Sequence, residues 1–407
     1  MINQRLLEGQ AFRNVLKKKI NEFKDSQNNI QNVHTPFDLC YDMLNEMMRR
    51  TTRSGKDFLV LFNLEFVETL ISSFGVPGDR IWFVADGKME AAFLRLSRYN
   101  GVKVEVIDMQ KDFVVEEMNP FGGKKFDFVV MNPPYQAPTN RKEDDGGSGT
   151  GSSYWHKFVE KALSILKDGG HLCTVHPPLW RKPESKIGSV ISSHDLLYLE
   201  MHGETDGRKT FGCGTRYDWY ILRKSSEGVT TPIICEDGSS EELDIKGMPF
   251  IPNKNLSFVL SLMAKQDEPT CGIIYDSSAY ETRKPWMSEI QDETFKHPCV
   301  HSTTQKGIRW MYSSRNDKGL FGVSKVIFGE GGGHGINNPV IDMAGEYGMT
   351  HHALGIKVDS LEEAEMIVKA MTSEKFAEFL ASTLYGNFGI EWRTFKYLRK
   401  NFWREFI

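Results

Sequence analysis

Short apolar runs alternate with amphipathic segments through the first third of the chain. The apolar runs predict four buried strands, at 58–62, 81–86, 102–108 and 126–131. The segments between the first three of these runs have helical spacing, at 63–74 and 88–99. Strands and helices that alternate in this way form βαβ units. The pattern therefore predicts an α/β fold with a parallel, doubly wound sheet.

The residues before this sheet predict two helices. Apolar residues recur at helical spacing among lysines and arginines over residues 1–30, which predicts a helical arm. A second helix is predicted from Pro36 to Met48, and proline suits a first helical turn. Thr35 is placed to cap that helix.

The pattern changes after Tyr135. Residues 141–153 are rich in glycine and serine and have no apolar anchor, which predicts a mobile loop. A helix over 154–166 and strands over 172–175, 196–201 and 217–222 then continue the fold. The alternation ends at Lys224. We therefore predict three parts: the arm (1–30), the α/β domain (31–224) and a mixed α/β domain (225–407) with a helix over 361–379 and a helical basic tail.

Composition narrows the class of protein. The formal net charge is −4, so any surface that binds nucleic acid must be a local basic patch. Six cysteines are widely scattered without a Cys-x-x-Cys pair, which argues against a zinc site and a disulfide framework. We expect no metal. No apolar run approaches the roughly 20 residues that span a membrane, so we expect no membrane partner.

The segment from Asp127 to Tyr135 carries the most specific chemistry. An apolar strand runs into Asn132-Pro133-Pro134-Tyr135, where the prolines must end the strand. The Asn132 carboxamide oxygen and an adjacent carbonyl can both accept hydrogen bonds from an amine. Tyr135 offers a flat face on which a planar base could stack. This segment predicts a pocket for an aromatic amine at the carboxyl edge of the sheet.

With these motifs in this order, residues 30–225 resemble the adenine-N6 DNA methyltransferases of the gamma arrangement. The order is Thr35-Pro36, the strand at Leu61, Asp86, Asp108 and then Asn132–Tyr135, followed by a C-terminal domain. The segments 176–183 and 215–219 are similar to type IIG restriction-modification and phage-borne methylases. The resemblance implies a Rossmann-like methyltransferase domain, S-adenosylmethionine as cofactor, and a mixed C-terminal target-recognition domain.

The resemblance also implies roles for individual residues. Catalysis falls to Asn132, Pro133, Pro134 and Tyr135, which hold the target amine and stack on its base. Phe211 is the candidate for stacking on the other face of the base, and the alternative is that Phe211 is an aromatic residue of the core. The implied cofactor contacts are Thr35, Pro36, Asn63, Glu65, Asp86, Asp108 and Asn132. The two aspartates, which would take the ribose and the adenine, could instead cap turns or helices.

One departure from the family concerns the turn after the first strand. The family has a glycine-rich turn there, whereas this chain has Leu61-Phe62-Asn63-Leu64-Glu65-Phe66. We predict that Asn63 and Glu65 replace the missing backbone contacts to the cofactor with side chains.

Double-stranded DNA is the implied substrate, and the target adenine must then be flipped out of the helix. The loop at 141–153 could close over the flipped base. The candidate contacts to DNA are basic residues: Arg181, Lys182, Lys306, Arg309, Arg315, Lys318, Arg393, Lys396, Arg399, Lys400 and Arg404. Each of these clusters could equally be a solvated face.

Two alternatives remain open from the sequence. Asn-Pro-Pro-Tyr also marks methylases that act on RNA or on a glutamine of a protein. The missing glycines would also suit a degenerate methylase that only binds DNA or a partner. We expect a cytoplasmic protein of a bacterial or phage-infected cell, without a nuclease in this chain but with a possible separate restriction endonuclease as partner.

Overall fold

The computed structural model of the chain describes residues 35–52, 54–85, 99–107, 119–135, 153–276, 280–331, 335–386 and 389–407, together with Asn14. Most of the predicted arm, the predicted helix at 88–99 and the predicted loop at 141–153 lie outside the described residues. The chain divides into two compact units. Unit 1 consists of Met1–Trp180 and Lys186–Gly247, and unit 2 of Arg181–Ser185 and Met248–Ile407.

Within its described residues, unit 1 is built on one nine-stranded sheet. Its strands are β1 (Phe58–Leu61), β2 (Ile81–Ala85), β3 (Lys103–Val106), β4 (Phe126–Met131), β5 (Leu166–His176), β6 (Asp195–His202), β7 (Tyr217–Arg223), β8 (Thr231–Ile234) and β9 (Ser240–Leu243). Their order across the sheet is β3-β2-β1-β4-β5-β7-β6-β8-β9. Strands β1 to β5 are parallel to one another, and β7 is antiparallel to both β5 and β6.

The helices of unit 1 cover this sheet. They are α1 (Phe37–Arg50), α2 (Leu64–Ser72), α3 (Trp155–Ile165), α4 (Lys186–Ser192) and α5 (Glu204–Phe211). All four residues of β1 are buried, as expected for a strand covered on both faces. Helix α1 buries one face, consisting of Leu39, Cys40, Met43, Leu44 and Met47, in the same core. The predicted parallel, doubly wound sheet is confirmed.

The strand order reverses between β1 and β4. The chain leaves β1 towards β2 and β3 on one side, and leaves β4 towards β5 on the other. Leu61 and Met131, the last residues of the two strands, are direct neighbours in the register. Ligands of open α/β sheets bind at the carboxyl edge beside such a reversal. The turns that begin at Phe62 and Asn132 therefore meet where a ligand site is expected.

Unit 1 extends past the boundary that the sequence predicts at residue 224. Strands β8 and β9 form a hairpin that joins the large sheet through a parallel pairing of β8 with β6. The sequence does not reveal this hairpin, because β9 is a short polar edge strand (Ser-Glu-Glu-Leu) without an apolar run.

The described part of unit 2 contains two four-stranded sheets. Its strands are β10 (Ile273–Ile274), β11 (Met287–Ser288), β12 (His297–Thr304), β13 (Gly307–Ser313), β14 (Lys325–Gly329), β15 (Val340–Asp342), β16 (Gly348–Met349) and β17 (Ala353–Lys357). The two orders are β10-β17-β14-β15 and β11-β13-β12-β16. The helices are α6 (Leu256–Ser261), α7 (Leu361–Met371) and α8 (Glu374–Ser382). The mixed α/β composition predicted for this region matches the elements found.

One prediction about the end of the chain is wrong. The helix over 361–379 is divided in two, because the Ser373 hydroxyl accepts a hydrogen bond from the Phe376 amide and starts a new helix. The tail, which the sequence predicts to be helical and basic, contains two 3-10 helices, Trp392–Tyr397 and Phe402–Phe406. Its aromatic residues pack into the core of unit 2. No helix in the described part of the chain is long and apolar enough to cross a membrane.

Candidate methyl-transfer site

Asn132, the first residue after β4, is held by two hydrogen bonds from distant segments. Its main-chain amide donates to Asn63 Oδ1 at 2.8 Å, and its side-chain Nδ2 donates to Thr35 Oγ1 at 3.0 Å. The Thr35 contact occupies the amide nitrogen. The carboxamide oxygen is then the atom with which Asn132 can accept a hydrogen bond from a substrate amine.

Thr35 does not cap helix α1. Pro36 is the N-cap residue, no side chain caps the helix, and the Pro36 carbonyl accepts the first helical bond from Cys40 N at 2.9 Å. The capping interpretation of Thr35 is therefore wrong. Its hydroxyl instead reaches a residue 97 positions along the chain.

The turn after β1 explains how the chain manages without glycine. Phe62 has φ 62°, a left-handed conformation that glycine adopts readily and that a bulky residue rarely does. Its main-chain amide donates to Val84 O at 2.9 Å, and its buried ring meets Phe158 edge-on, with centroids 6.0 Å apart. Packing of the ring thus holds a backbone turn that glycine would normally make.

Asn63 and Glu65 follow this turn and are both buried. Asn63 is the N-cap residue of α2, but its side chain bonds Asn132 instead of the helix. Glu65 lies in the first turn of α2, where the helix dipole favours a carboxylate. No acceptor in the described part of the chain takes a hydrogen bond from Asn63 Nδ2, which leaves this donor for a ligand. The roles predicted for Asn63 and Glu65 towards a cofactor remain predictions.

Tyr135 lies half-buried, with its hydroxyl fully buried. Burial, together with the nearby Cys213, Tyr217 and Asp218, raises the pKa of Tyr135 above its ordinary value of 10. The phenol therefore stays neutral and can serve only as a stacking face or a hydrogen-bonding group.

Phe211 ends helix α5 close to this group. Its ring meets Tyr217 edge-on at 4.9 Å, and Tyr217 in turn stacks on His202 at 4.4 Å. The structure therefore places Phe211 near the residues that surround Tyr135. No direct ring contact joins Phe211 and Tyr135, so the opposing stack remains a prediction.

Trp155, His176 and Tyr220 form an aromatic cluster to which the sequence analysis assigned no role. Trp155 stacks on His176, with centroids 4.0 Å apart and an interplanar angle of 14°. His176 Nδ1 donates to the Pro177 carbonyl at 2.9 Å, so Nε2 must accept the hydrogen bond from the Tyr220 hydroxyl at 3.0 Å. Burial lowers the pKa of His176 to about 3, which keeps this imidazole neutral. The segment at 176–183 is similar to methylases in sequence, but nothing local in it indicates that His176 contacts Trp155 and Tyr220.

Asp86 and Asp108 lie outside the described residues. Strand β2 ends at Ala85, directly before Asp86 in the sequence, and β3 ends at Val106. The Ile107 amide donates to the Ala85 carbonyl at 3.1 Å, which keeps the two strands paired up to their carboxyl ends. The cofactor roles of both aspartates remain predictions.

The residues predicted to contact DNA differ in their exposure to solvent. Arg181 is only 2% exposed, donates to the Ile251 carbonyl at 3.0 Å and lies against the Tyr385 ring. A guanidinium buried in this way cannot reach a phosphate, so the prediction for Arg181 is wrong. Lys182 is partly exposed and Lys306 is exposed.

Six of the remaining basic candidates pair with acidic residues, and one of these pairs joins Arg315 to Asp317. Arg309 pairs with Glu289 at 2.5 Å, and both Arg393 and Lys396 pair with Glu184, at 3.3 and 2.6 Å. The distal tail is also paired, Arg399 with Glu405 at 2.6 Å and Lys400 with Asp359. These ion pairs reduce the positive charge available to a nucleic acid.

Comparison with known proteins provides independent information about the chain. Residues 86–193 match the model of the Eco57I restriction-modification methylase family. The matched segment contains the Asn132–Tyr135 turn and supports a methyltransferase. No curated protein sequence matches the chain.

Solved structures give the fold. A nuclease-deletion mutant of the Type ISP restriction-modification enzyme LlaGI, in complex with a DNA substrate mimic, is similar with a TM-score of 0.51 and 12% identity, over 91% of this chain and 54% of that one. The Type IIL enzyme MmeI, in complex with DNA, gives 0.44 and 10% over 89% and 63%. A putative class I S-adenosylmethionine-dependent methyltransferase from Listeria monocytogenes gives 0.39 and 15% over 55% and 71%.

The chain spans about half the length of LlaGI and of several other structures that it resembles. Its strand order, with β7 antiparallel between β5 and β6, together with the similarity to LlaGI, gives unit 1 a Rossmann-like methyltransferase fold. The fold class predicted from the sequence is confirmed.

Proposed function

We propose that the chain is a site-specific DNA methyltransferase that transfers a methyl group from S-adenosylmethionine to the N6 amine of a flipped-out adenine. The observation that carries the proposal is the fixed Asn132 carboxamide, held by Thr35 at the carboxyl edge of the sheet and beside the strand reversal. The family matched by residues 86–193 supports DNA as the polymer.

The geometry suits an exocyclic amine. The lone pair of such an amine is delocalised into its ring, which makes it a poor nucleophile. An acceptor on Asn132 and a carbonyl of the Pro133-Pro134 segment would hold its two protons and direct the lone pair outwards. Asn132 and both prolines are buried, so water competes little with these hydrogen bonds. Tyr135 would stack on the extruded base.

The described residues fit the cofactor. Asn63 Nδ2 and the Glu65 carboxylate give the turn after β1 one donor and one acceptor, which suit the carboxylate and the ammonium of the methionine end. Asp86 and Asp108 would hold the ribose and the adenine. S-adenosylmethionine, when bound, supplies an electrophilic methyl group. The protein supplies position, a dry surrounding and the hydrogen bonds to the amine.

DNA implies base flipping, because a base inside the duplex cannot reach the site. Extrusion costs a few kcal/mol, which stacking on Tyr135 and contacts to phosphates would offset. Unit 2 is the candidate target-recognition domain. LlaGI, whose fold is similar, was solved with a DNA substrate mimic.

A transfer assay tests the proposal. The purified chain is incubated with S-adenosylmethionine labelled in the methyl group, and with duplex DNA, RNA and protein extract in separate reactions. We expect label in DNA, and loss of at least ~100-fold of it in Asn132→Ala. Asn401→Ala, at an exposed asparagine of unit 2, serves as the matched control.

If RNA or protein is labelled in preference to DNA, that polymer and not DNA is the substrate. A chain that binds DNA but labels no polymer would support a degenerate binding module instead.

A further inference from the structure

Three segments of unit 1 that are far apart in sequence converge on one residue. Thr35 precedes α1, Asn63 follows β1 and Asn132 follows β4, and the two hydrogen bonds that join them span 97 and 69 positions. Thr35 is 0%, Asn63 3% and Asn132 2% exposed. Because water cannot compete at buried sites, these bonds restrict Asn132 more than similar bonds on a surface would.

Asn63 accepts the hydrogen bond of the first main-chain amide beyond the paired part of β4. The pairings of β4 with β1 and with β5 both end at Met131, so the next amide has no partner in either ladder. Pro133 and Pro134 have no N–H at all. The Asn132 amide is thus the last main-chain donor before Tyr135, and Asn63 Oδ1 accepts it at 2.8 Å. This bond fixes where the turn leaves the strand.

Thr35 holds the Asn132 carboxamide. A carboxamide has nearly the same shape after a half-turn, so packing alone cannot distinguish its oxygen from its nitrogen. In the structure the Thr35 hydroxyl accepts a hydrogen bond from Nδ2 at 3.0 Å, which is the orientation that directs Oδ1 away from Thr35. Thr35 is itself held by helix α1, whose Cys40, Met43 and Met47 lie in the core.

We propose that Thr35 and Asn63 are positioning residues that hold Asn132 in its amine-accepting orientation before cofactor and DNA arrive. Asn63 fixes the main chain and Thr35 fixes the side chain. The inference rests on the proposed function. It gives Thr35 a positioning role in place of the predicted cofactor contact, and it gives Asn63 a positioning role through Oδ1 in addition to the cofactor contact proposed for its Nδ2. The two roles predict different measurements.

Kinetics of Thr35 variants separate the two roles. Thr35→Val keeps the shape of the side chain but lacks the acceptor, so the carboxamide can turn its NH2 towards the substrate amine. We expect the single-turnover transfer rate to fall about 100-fold, while the affinity for S-adenosylmethionine, measured by calorimetry, stays within about twofold. Thr35→Ser restores the hydroxyl and should recover most of the rate. A 100-fold loss of cofactor affinity with an unchanged rate in Thr35→Val would overturn the proposal.

Amide exchange tests the main-chain bond without any activity. Two prolines follow Asn132, so the difference in deuterium content between peptic fragments over 127–135 and 127–131 reports only the amides of Asn132 and Tyr135. In Asn63→Leu, loss of the hydrogen bond should speed exchange at Asn132 about tenfold. Asn63→Asp keeps an acceptor and should exchange slowly, as should Thr35→Val. Equal exchange in Asn63→Leu and the unmodified chain would refute the main-chain part.

The two proposals fail in distinguishable ways. If the unmodified chain methylates no polymer, the proposed function fails, yet the exchange experiment still decides whether Asn63 holds the turn. If transfer is normal in Thr35→Val, the positioning role fails while the methyltransferase remains.

Discussion

The left-handed backbone of Phe62 determines which of two variants, Phe62→Gly or Phe62→Ala, is the more stable. The ring is 1% exposed, and truncation of a buried phenylalanine to alanine costs about 3–5 kcal/mol. Its φ of 62° is a conformation that costs a residue with a Cβ about 1–2 kcal/mol and costs glycine almost nothing. Phe62→Gly should therefore be about 1 kcal/mol more stable than Phe62→Ala, although both are less stable than the unmodified chain.

Phe158 provides the matched control. It is equally buried but lies inside helix α3, where glycine is about 1 kcal/mol worse than alanine. Phe158→Ala should thus be the more stable of its pair, the reverse of the order at Phe62. Thermal unfolding followed by calorimetry is suitable, because 1 kcal/mol shifts Tm by about 2–4 °C for domains of 150–250 residues. An alanine variant at Phe62 that melts above the glycine variant would refute the reasoning.

Three further predictions follow from other buried groups. Burial lowers the pKa of His176 from its ordinary 6.5 to about 3. The neutral imidazole therefore contributes stability that is present above pH 6.5 and is lost as pH falls towards 3. Denaturant titrations at several pH values should show that the free energy of unfolding falls less steeply between pH 6.5 and pH 3 in His176→Gln than in the unmodified chain. Lys325→Met breaks the fully buried pair with Asp342 and should cost about 3–5 kcal/mol in urea unfolding, whereas Arg309→Ala on the exposed pair with Glu289 should cost less than about 1 kcal/mol. Arg181→Ala should leave the slope of log Kd for DNA against log salt unchanged while lowering Tm, whereas Lys306→Ala should reduce that slope by about one if it contacts a phosphate.

The apolar pattern predicted the first four strands and their parallel pairing well. Strand β1 is a continuous apolar run, β4 is an apolar run interrupted only by Asp127, and local composition is sufficient to reveal such strands. Unit 2 shows the limit. Its strands are short and pair over long sequence distances, such as β12 with β16, so no local period indicates them.

In the site, too, local features could be predicted from the sequence and long-range contacts could not. Asn132–Tyr135 could be found from the sequence because two prolines and a strand end constrain it locally. The partners of Asn132 could not, because they depend on which distant turns meet at the strand reversal. Arg181 was misassigned for the same reason, since its burial depends on Ile251, 70 positions away.

The central claim concerns the atom that receives the methyl group. The most direct measurement is nucleoside mass spectrometry of duplex DNA after incubation with S-adenosylmethionine and the purified chain. We predict N6-methyladenine, absent when Asn132→Ala replaces the unmodified chain. Methylated cytosine instead, or bound DNA without any methylated nucleoside, would contradict the account.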